Sequence, residues 1–125
     1  MAETYVLEYL NTSSGTKVIP TATVRLLKKD ADPSKPGKIM QEAACGDGPV
    51  DAAYKAIDKI VAVSCKLSDY SLRAISSGKD AQGEVTVKVV YKNVTFTGRG
   101  TSTDIIEASA KAYLQAINKI QAIRQ

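Results

Sequence analysis

The sequence predicts an α+β fold built from two pseudo-symmetric β-β-β-α units forming one domain. Three observations predict it. Ala56-Ile57-Asp58-Lys59-Ile60 returns sixty positions later as Ala116-Ile117-Asn118-Lys119-Ile120. Thr23-Val24-Arg25 and Ser13-Ser14-Gly15 return sixty-three positions later as Thr86-Val87-Lys88 and Ser76-Ser77-Gly78. In each half, three stretches rich in branched residues precede one amphipathic stretch. The units run from about 4–64 and 67–124. A single three-stranded sheet with one helix leaves apolar surface uncovered, so two units can bury each other's faces, and a crevice where copies meet is a natural ligand site.

The first strand is Tyr5–Tyr9, followed by the turn cluster Asn11–Gly15. The second covers about Thr21 to Leu27, with Ala22, Val24 and Leu26 on one face and Thr21, Thr23 and Arg25 on the other. Asp30–Gly37 is a polar loop with two prolines, and Ile39–Cys45 is the third strand. Gly46-Asp47-Gly48-Pro49 then opens a helix that ends near Ser64. Pro49 suits the first helical position, where a missing N–H costs nothing. Val50, Ala53, Tyr54, Ile57, Ile60 and Val61 form its buried face.

The second half repeats this order. Tyr70–Ile75, Val85–Tyr91 and Val94–Arg99 are strands, and a helix runs from about Ile105 to Ile123. Ser102, Thr103 or Asp104 can cap it, and Glu107 favours its dipole. Its apolar stripe is Ile106, Ser109, Tyr113, Ala116, Ile117, Ile120 and Ile123. Gly46-x-Gly48 and Gly98-x-Gly100 both read as turns that start helices. Free N–H groups and the dipole there can hold a carboxylate.

A chain of 125 residues with 44% hydrophobic and 24% charged residues is a globular domain rather than a disordered one. No apolar run is long enough for a membrane span, so no membrane partner is expected. Met1-Ala2-Glu3-Thr4 lacks the basic start and apolar stretch of a signal peptide, which makes the cytoplasm the expected location. Cys45 and Cys65 have no Cys-x-x-Cys spacing, and there is no histidine to complete a zinc site. Buried free thiols are expected. Without histidine, the turn serines Ser13, Ser14, Ser76 and Ser77 have no base beside them, and no catalytic constellation forms. Asp47, Asp51 and Asp58 do not follow a calcium-loop pattern. Net charge is +4, but the basic residues are spread along the chain. They suit a solvated surface better than a nucleic-acid stripe. Tyr70 begins a strand near the small residues Ala74, Ala81 and Gly83. It reads either as a core tyrosine or as the wall of a pocket to which Leu67 and Val50 also contribute.

Three blocks carry a family resemblance. Glu42-Ala43-Ala44-Cys45-Gly46-Asp47-Gly48-Pro49-Val50-Asp51-Ala52 resembles the C-terminal regulatory domain of 2-isopropylmalate synthase. So do Gly78-Lys79-Asp80-Ala81-Gln82-Gly83-Glu84-Val85-Thr86-Val87 and the stretch from Gly98-Arg99-Gly100 through Ala110-Lys111-Ala112-Tyr113. The resemblance implies homodimerisation through this domain and leucine as a feedback effector. It also implies attachment to a catalytic barrel, absent from this chain, that condenses acetyl-CoA with 2-oxoisovalerate. That barrel is expected to use a divalent metal, and this domain no cofactor. The chain then reads as an excised regulatory domain that alone catalyses nothing. The effector wall implied is Val50, Leu67, Tyr70, Ala74, Ala81, Gly83, Thr103 and Ile105. Asp47 and Gly48 belong to a carboxylate-binding turn, and backbone carbonyls take the ammonium. Citramalate synthase carries a similar domain that responds to isoleucine. A basic nucleic-acid-binding α+β module and a dimerisation domain without a ligand are the readings from other classes.

Overall fold

The computed structural model describes residues 4–75 and 81–124. Ser76, Ser77 and Gly78, half of one repeat, lie outside the described residues, as do Lys79 and Asp80. The chain divides into two compact units, 1–62 and 63–125. In unit one, β1 (Tyr5–Gly15), β2 (Val18–Lys28) and β3 (Lys38–Cys45) precede α1 (Pro49–Val61). In unit two, β4 (Lys66–Ala74), β5 (Gly83–Tyr91) and β6 (Val94–Ser102) precede α2 (Ile105–Arg124). Both sheets are antiparallel meanders, ordered β1-β2-β3 and β4-β5-β6. The predicted α+β class and the two β-β-β-α units are therefore present.

Each unit has its own core. Ala22, Val24 and Leu26 of the central strand β2 alternate inward and meet Ala52, Ala53, Ala56, Ile57 and Ile60 of α1. Val85, Val87 and Val89 of β5 do the same under Ala108, Ala112, Ala116, Ile117 and Ile120 of α2. Full burial of one such branched side chain contributes about 1.5–3 kcal/mol. The helices also protect the sheet edges. Lys59 donates to the Ala43 carbonyl of edge strand β3 at 2.8 Å, and Lys119 donates to the Thr97 carbonyl of edge strand β6.

Several boundaries differ from the sequence reading. The predicted turn Asn11–Gly15 is strand: Asn11, Thr12 and Ser13 pair with Thr23, Ala22 and Thr21. Pairing with β2 satisfies those backbones, while the polar side chains stay largely in water. Helix α1 stops at Val61, because Ala62 takes the left-handed conformation at φ 52° and donates its N–H to the Asp58 carbonyl. Gly98 and Gly100 are not in a helix-start turn but inside β6, where both approach the α2 backbone. Ile123, placed on the apolar stripe, is 61% exposed. Cys45 is exposed rather than buried and Cys65 is half-buried; neither forms a disulfide. Among the described residues no helix is long and apolar enough to cross a membrane.

Candidate effector site

Strand β4 is the part of unit two that its helix does not cover. Helix α2 lies over β5 and β6, and every residue of β4 is exposed. Leu67, Tyr70, Leu72 and Ala74 stand opposite Val89, Val87, Val85 and Gly83 of β5. They therefore share the face that carries α2. Simple alternation would put Leu67 and Tyr70, three residues apart, on opposite faces. A bulge between Leu67 and Asp69 inserts one extra residue, Ser68, and restores both to the helix side. Leu67, Tyr70 and Leu72 are 40%, 37% and 50% exposed, which makes an apolar strip beside the start of α2.

The strip ends at Gly83. A Cβ built there would collide with the Ile105 Cδ1 and stand 3.2 Å from the Leu72 Cδ1. Gly83 thus lets the first residue of α2 and Leu72, near the end of β4, close over one spot, with Ala74 beside it. The Tyr70 hydroxyl lies 2.7 Å from Ser109 Oγ, and Ser109 donates to the Ile105 carbonyl at 2.8 Å. Thr103 is exposed in the bend before α2. Asp104 caps the helix, its carboxylate accepting from the Ile106 N–H at 2.9 Å.

Of the predicted wall, Tyr70, Ala74, Gly83 and Ile105 are brought together in this way, with Leu67 at the far end of the strip. Ala81 is exposed in the segment before β5. Val50, Asp47 and Gly48 belong to unit one. Val50 is half-buried in the first turn of α1, and Gly48 is its extended N-cap residue. The Asp47 N–H is already engaged: it donates to the Asp51 carboxylate at 2.9 Å, and Asp51 also pairs with Lys55 at 3.0 Å. That amide and that lysine hold the Asp51 carboxyl below the ordinary carboxylate range. The turn therefore accepts a carboxylate, and its own chain supplies one.

Sequence reasoning missed Leu72 and the role of Ser109. Leu72 was findable, since it lies two residues from Tyr70 on the same face of a strand. Ser109 was read as part of an apolar stripe; its small hydroxyl-bearing side chain among aliphatic and aromatic ones is the signal.

The chain matches the family described as the LeuA allosteric (dimerisation) domain over residues 1–121. It belongs to that family. Among individual proteins, it is 53% identical over 118 residues to the 2-isopropylmalate synthase of Heliobacterium modesticaldum, covering 94% of this chain and 22% of the relative. It is 53% identical over 118 residues to that of Pelotomaculum thermopropionicum and 54% identical over 121 residues to that of Carboxydothermus hydrogenoformans, with the same two coverages. The chain thus spans about a fifth of the length of these relatives. Within this LeuA-type domain several basic side chains are engaged by the chain itself. Arg73 pairs with Glu84 at 2.9 Å and Lys111 with Glu107 at 2.8 Å, and Arg25 lies over the Tyr9 ring.

Proposed function

We propose that this chain is the regulatory domain of a 2-isopropylmalate synthase and binds leucine as a feedback effector. The observation that carries this reading is the exposed apolar strip Leu67–Tyr70–Leu72, ending at Gly83 and Ile105. An isobutyl group laid on that strip gains about 1.5–3 kcal/mol from leaving water. Ala74, Ala81 and Gly83 leave it room, and Ile105 closes one end. Val50, Thr103 and the Asp47–Gly48 turn enter the proposal only through the family resemblance, and the turn takes a ligand carboxylate only in place of that of Asp51, which the Asp47 amide holds in this chain. Leucine acts only through a difference in affinity between two states of the whole enzyme.

The same proposal includes a homodimer, a cytoplasmic location, and attachment to a catalytic part that joins acetyl-CoA to 2-oxoisovalerate with a divalent metal. The regulatory domain itself takes no cofactor in this scheme. Calorimetric titration of the chain with leucine, isoleucine and valine tests it. Saturable leucine binding near one site per chain, with weaker controls, supports the proposal. Preference for isoleucine moves the chain to the citramalate synthases; one methyl position is worth about 1–3 kcal/mol. Binding of none of the three leaves a dimerisation domain without a ligand of its own. Salt-sensitive binding of an oligonucleotide would favour a different class altogether.

A further inference from the structure

The two units differ at one corresponding place. Leu7 and Leu10 flank a bulge in β1 as Leu67 and Tyr70 flank the bulge in β4, sixty positions apart. Leu10 packs against the apolar cluster of Ala22, Ala52 and Ala53. Its counterpart Tyr70 instead carries a hydroxyl to Ser109 Oγ at 2.7 Å. The sixty-residue helix repeat aligns Pro49, the first residue of α1, with Ser109. Residues 105–108 therefore form a turn of α2 that α1 lacks, and Ser109 is anchored to it through the Ile105 carbonyl.

The direction of these bonds follows from the groups. A carbonyl can only accept, so Ser109 gives its proton to Ile105, and the Tyr70 O–H is the donor to Ser109. A serine hydroxyl bonded to the carbonyl four residues back does not help a helix, and alanine is the better helix former. Ser109 is nevertheless fully buried, as are Ala108, Ala110 and Ala112.

We propose that Ser109 is a positioning residue for the effector. It holds the Tyr70 ring over the apolar strip and ties it to Ile105, the residue whose side chain closes the strip at Gly83. Both walls of the site then rest on one chain of hydrogen bonds, Tyr70 to Ser109 to the Ile105 carbonyl. This inference rests on the leucine reading above.

Ser109→Ala, Tyr70→Phe and the double variant test it by leucine calorimetry and thermal unfolding. Each single change should weaken leucine binding about three- to tenfold, the scale of one hydrogen bond. The double variant should lose no more than either single one, because both remove the same link. The melting temperature of Ser109→Ala should stay level or rise, since alanine suits the helix. Unchanged affinity in Ser109→Ala, additive losses, or affinity and melting temperature falling together would overturn the proposal. A ligand-free readout separates it from the functional reading. With 13C-tyrosine labelling, the Tyr70 Cζ resonance should move in Ser109→Ala toward that of an exposed tyrosine, and an unmoved resonance overturns the link. If the unaltered chain binds no leucine, the functional reading fails, and the resonance still decides whether Ser109 fixes Tyr70.

Discussion

Gly100 and Ala112 meet backbone to backbone: a Cβ on the glycine would stand 2.6 Å from the Ala112 amide nitrogen. Gly98 makes the same approach one step along β6, toward the Ala112 carbonyl and the Ala116 amide. In unit one, a Cβ on Gly46 would likewise stand 2.5 Å from the Ala52 amide nitrogen, and Ala52 is sixty residues before Ala112. The helices are seated on their strands at the distance that a missing side chain permits.

Replacing Gly100 with alanine should therefore cost about 3 kcal/mol, the upper range for forcing a methyl group into a close-packed core. The two nearest neighbours of the added methyl, the Ala108 carbonyl oxygen and the Ala112 amide nitrogen, are backbone atoms and cannot give way. Gly15→Ala is the control: its nearest neighbour would be a Val18 methyl at 3.9 Å, and the change should be close to neutral. Urea unfolding of both variants checks the contrast. Equal midpoints would mean that α2 does not sit this close to β6.

Ala62 ends α1 in the left-handed conformation, at φ 52° and ψ 38°. An L side chain pays a steric penalty there that glycine avoids, although glycine also loses more entropy on folding. Ala62→Gly should stabilise the chain by about 0.5–1 kcal/mol, read as a higher unfolding midpoint. A lower midpoint would show that another conformation ends the helix.

The Asp51 carboxyl is held below its ordinary value of 3.8 first by the Asp47 amide and then by Lys55. A carboxyl depressed in the folded state stabilises the fold at all pH above 3.8 and loses that contribution as pH falls through the lower folded value. Asp51→Asn should thus cost about 0.5 kcal/mol at pH 7, the size expected for a carboxylate at an exposed helix N-terminus. The difference from the unaltered chain should shrink below pH 3.8. Unfolding midpoints at pH 7 and pH 3 measure it, and a gap that widens in acid would contradict the assignment.

Leu72 is half exposed, so its removal has little stability to lose. Leu72→Ser should leave the unfolding midpoint almost unchanged and weaken leucine binding at least tenfold. Tyr70→Ala and Ala81→Trp should abolish binding, the first by removing a wall and the second by filling the space. Calorimetry on the three variants decides; unchanged leucine affinity in all of them would place the site elsewhere.

The wall of the candidate site was read in the sequence from the family resemblance, and from the residues themselves only through small side chains near an aromatic one. Ala74 and Gly83 are paired across β4 and β5, a neighbourhood that sequence proximity to Tyr70 does not by itself specify. The bulge at Ser68 was not legible, because an extra residue in a strand leaves no compositional mark. Without it, Leu67 and Tyr70 would have been assigned to opposite faces. Gly98 and Gly100 were misread for a related reason. Two glycines ahead of a helix look the same whether they form its starting turn or lie under its axis.

Periodicity and the internal repeat were enough to determine the α+β class, the order of elements in each unit and the buried faces of Val24, Val87, Ile57 and Ile117. Those properties follow from alternation along the chain, which is local and written in residue types. Only the tertiary structure decided that α2 covers β5 and β6 but leaves β4 bare, that Gly100 lies against Ala112, and that Tyr70 reaches Ser109. Each of these depends on strand register and on how closely two backbones approach. Both are set by pairing and packing between residues far apart in the chain, where a one-residue slip changes every neighbour.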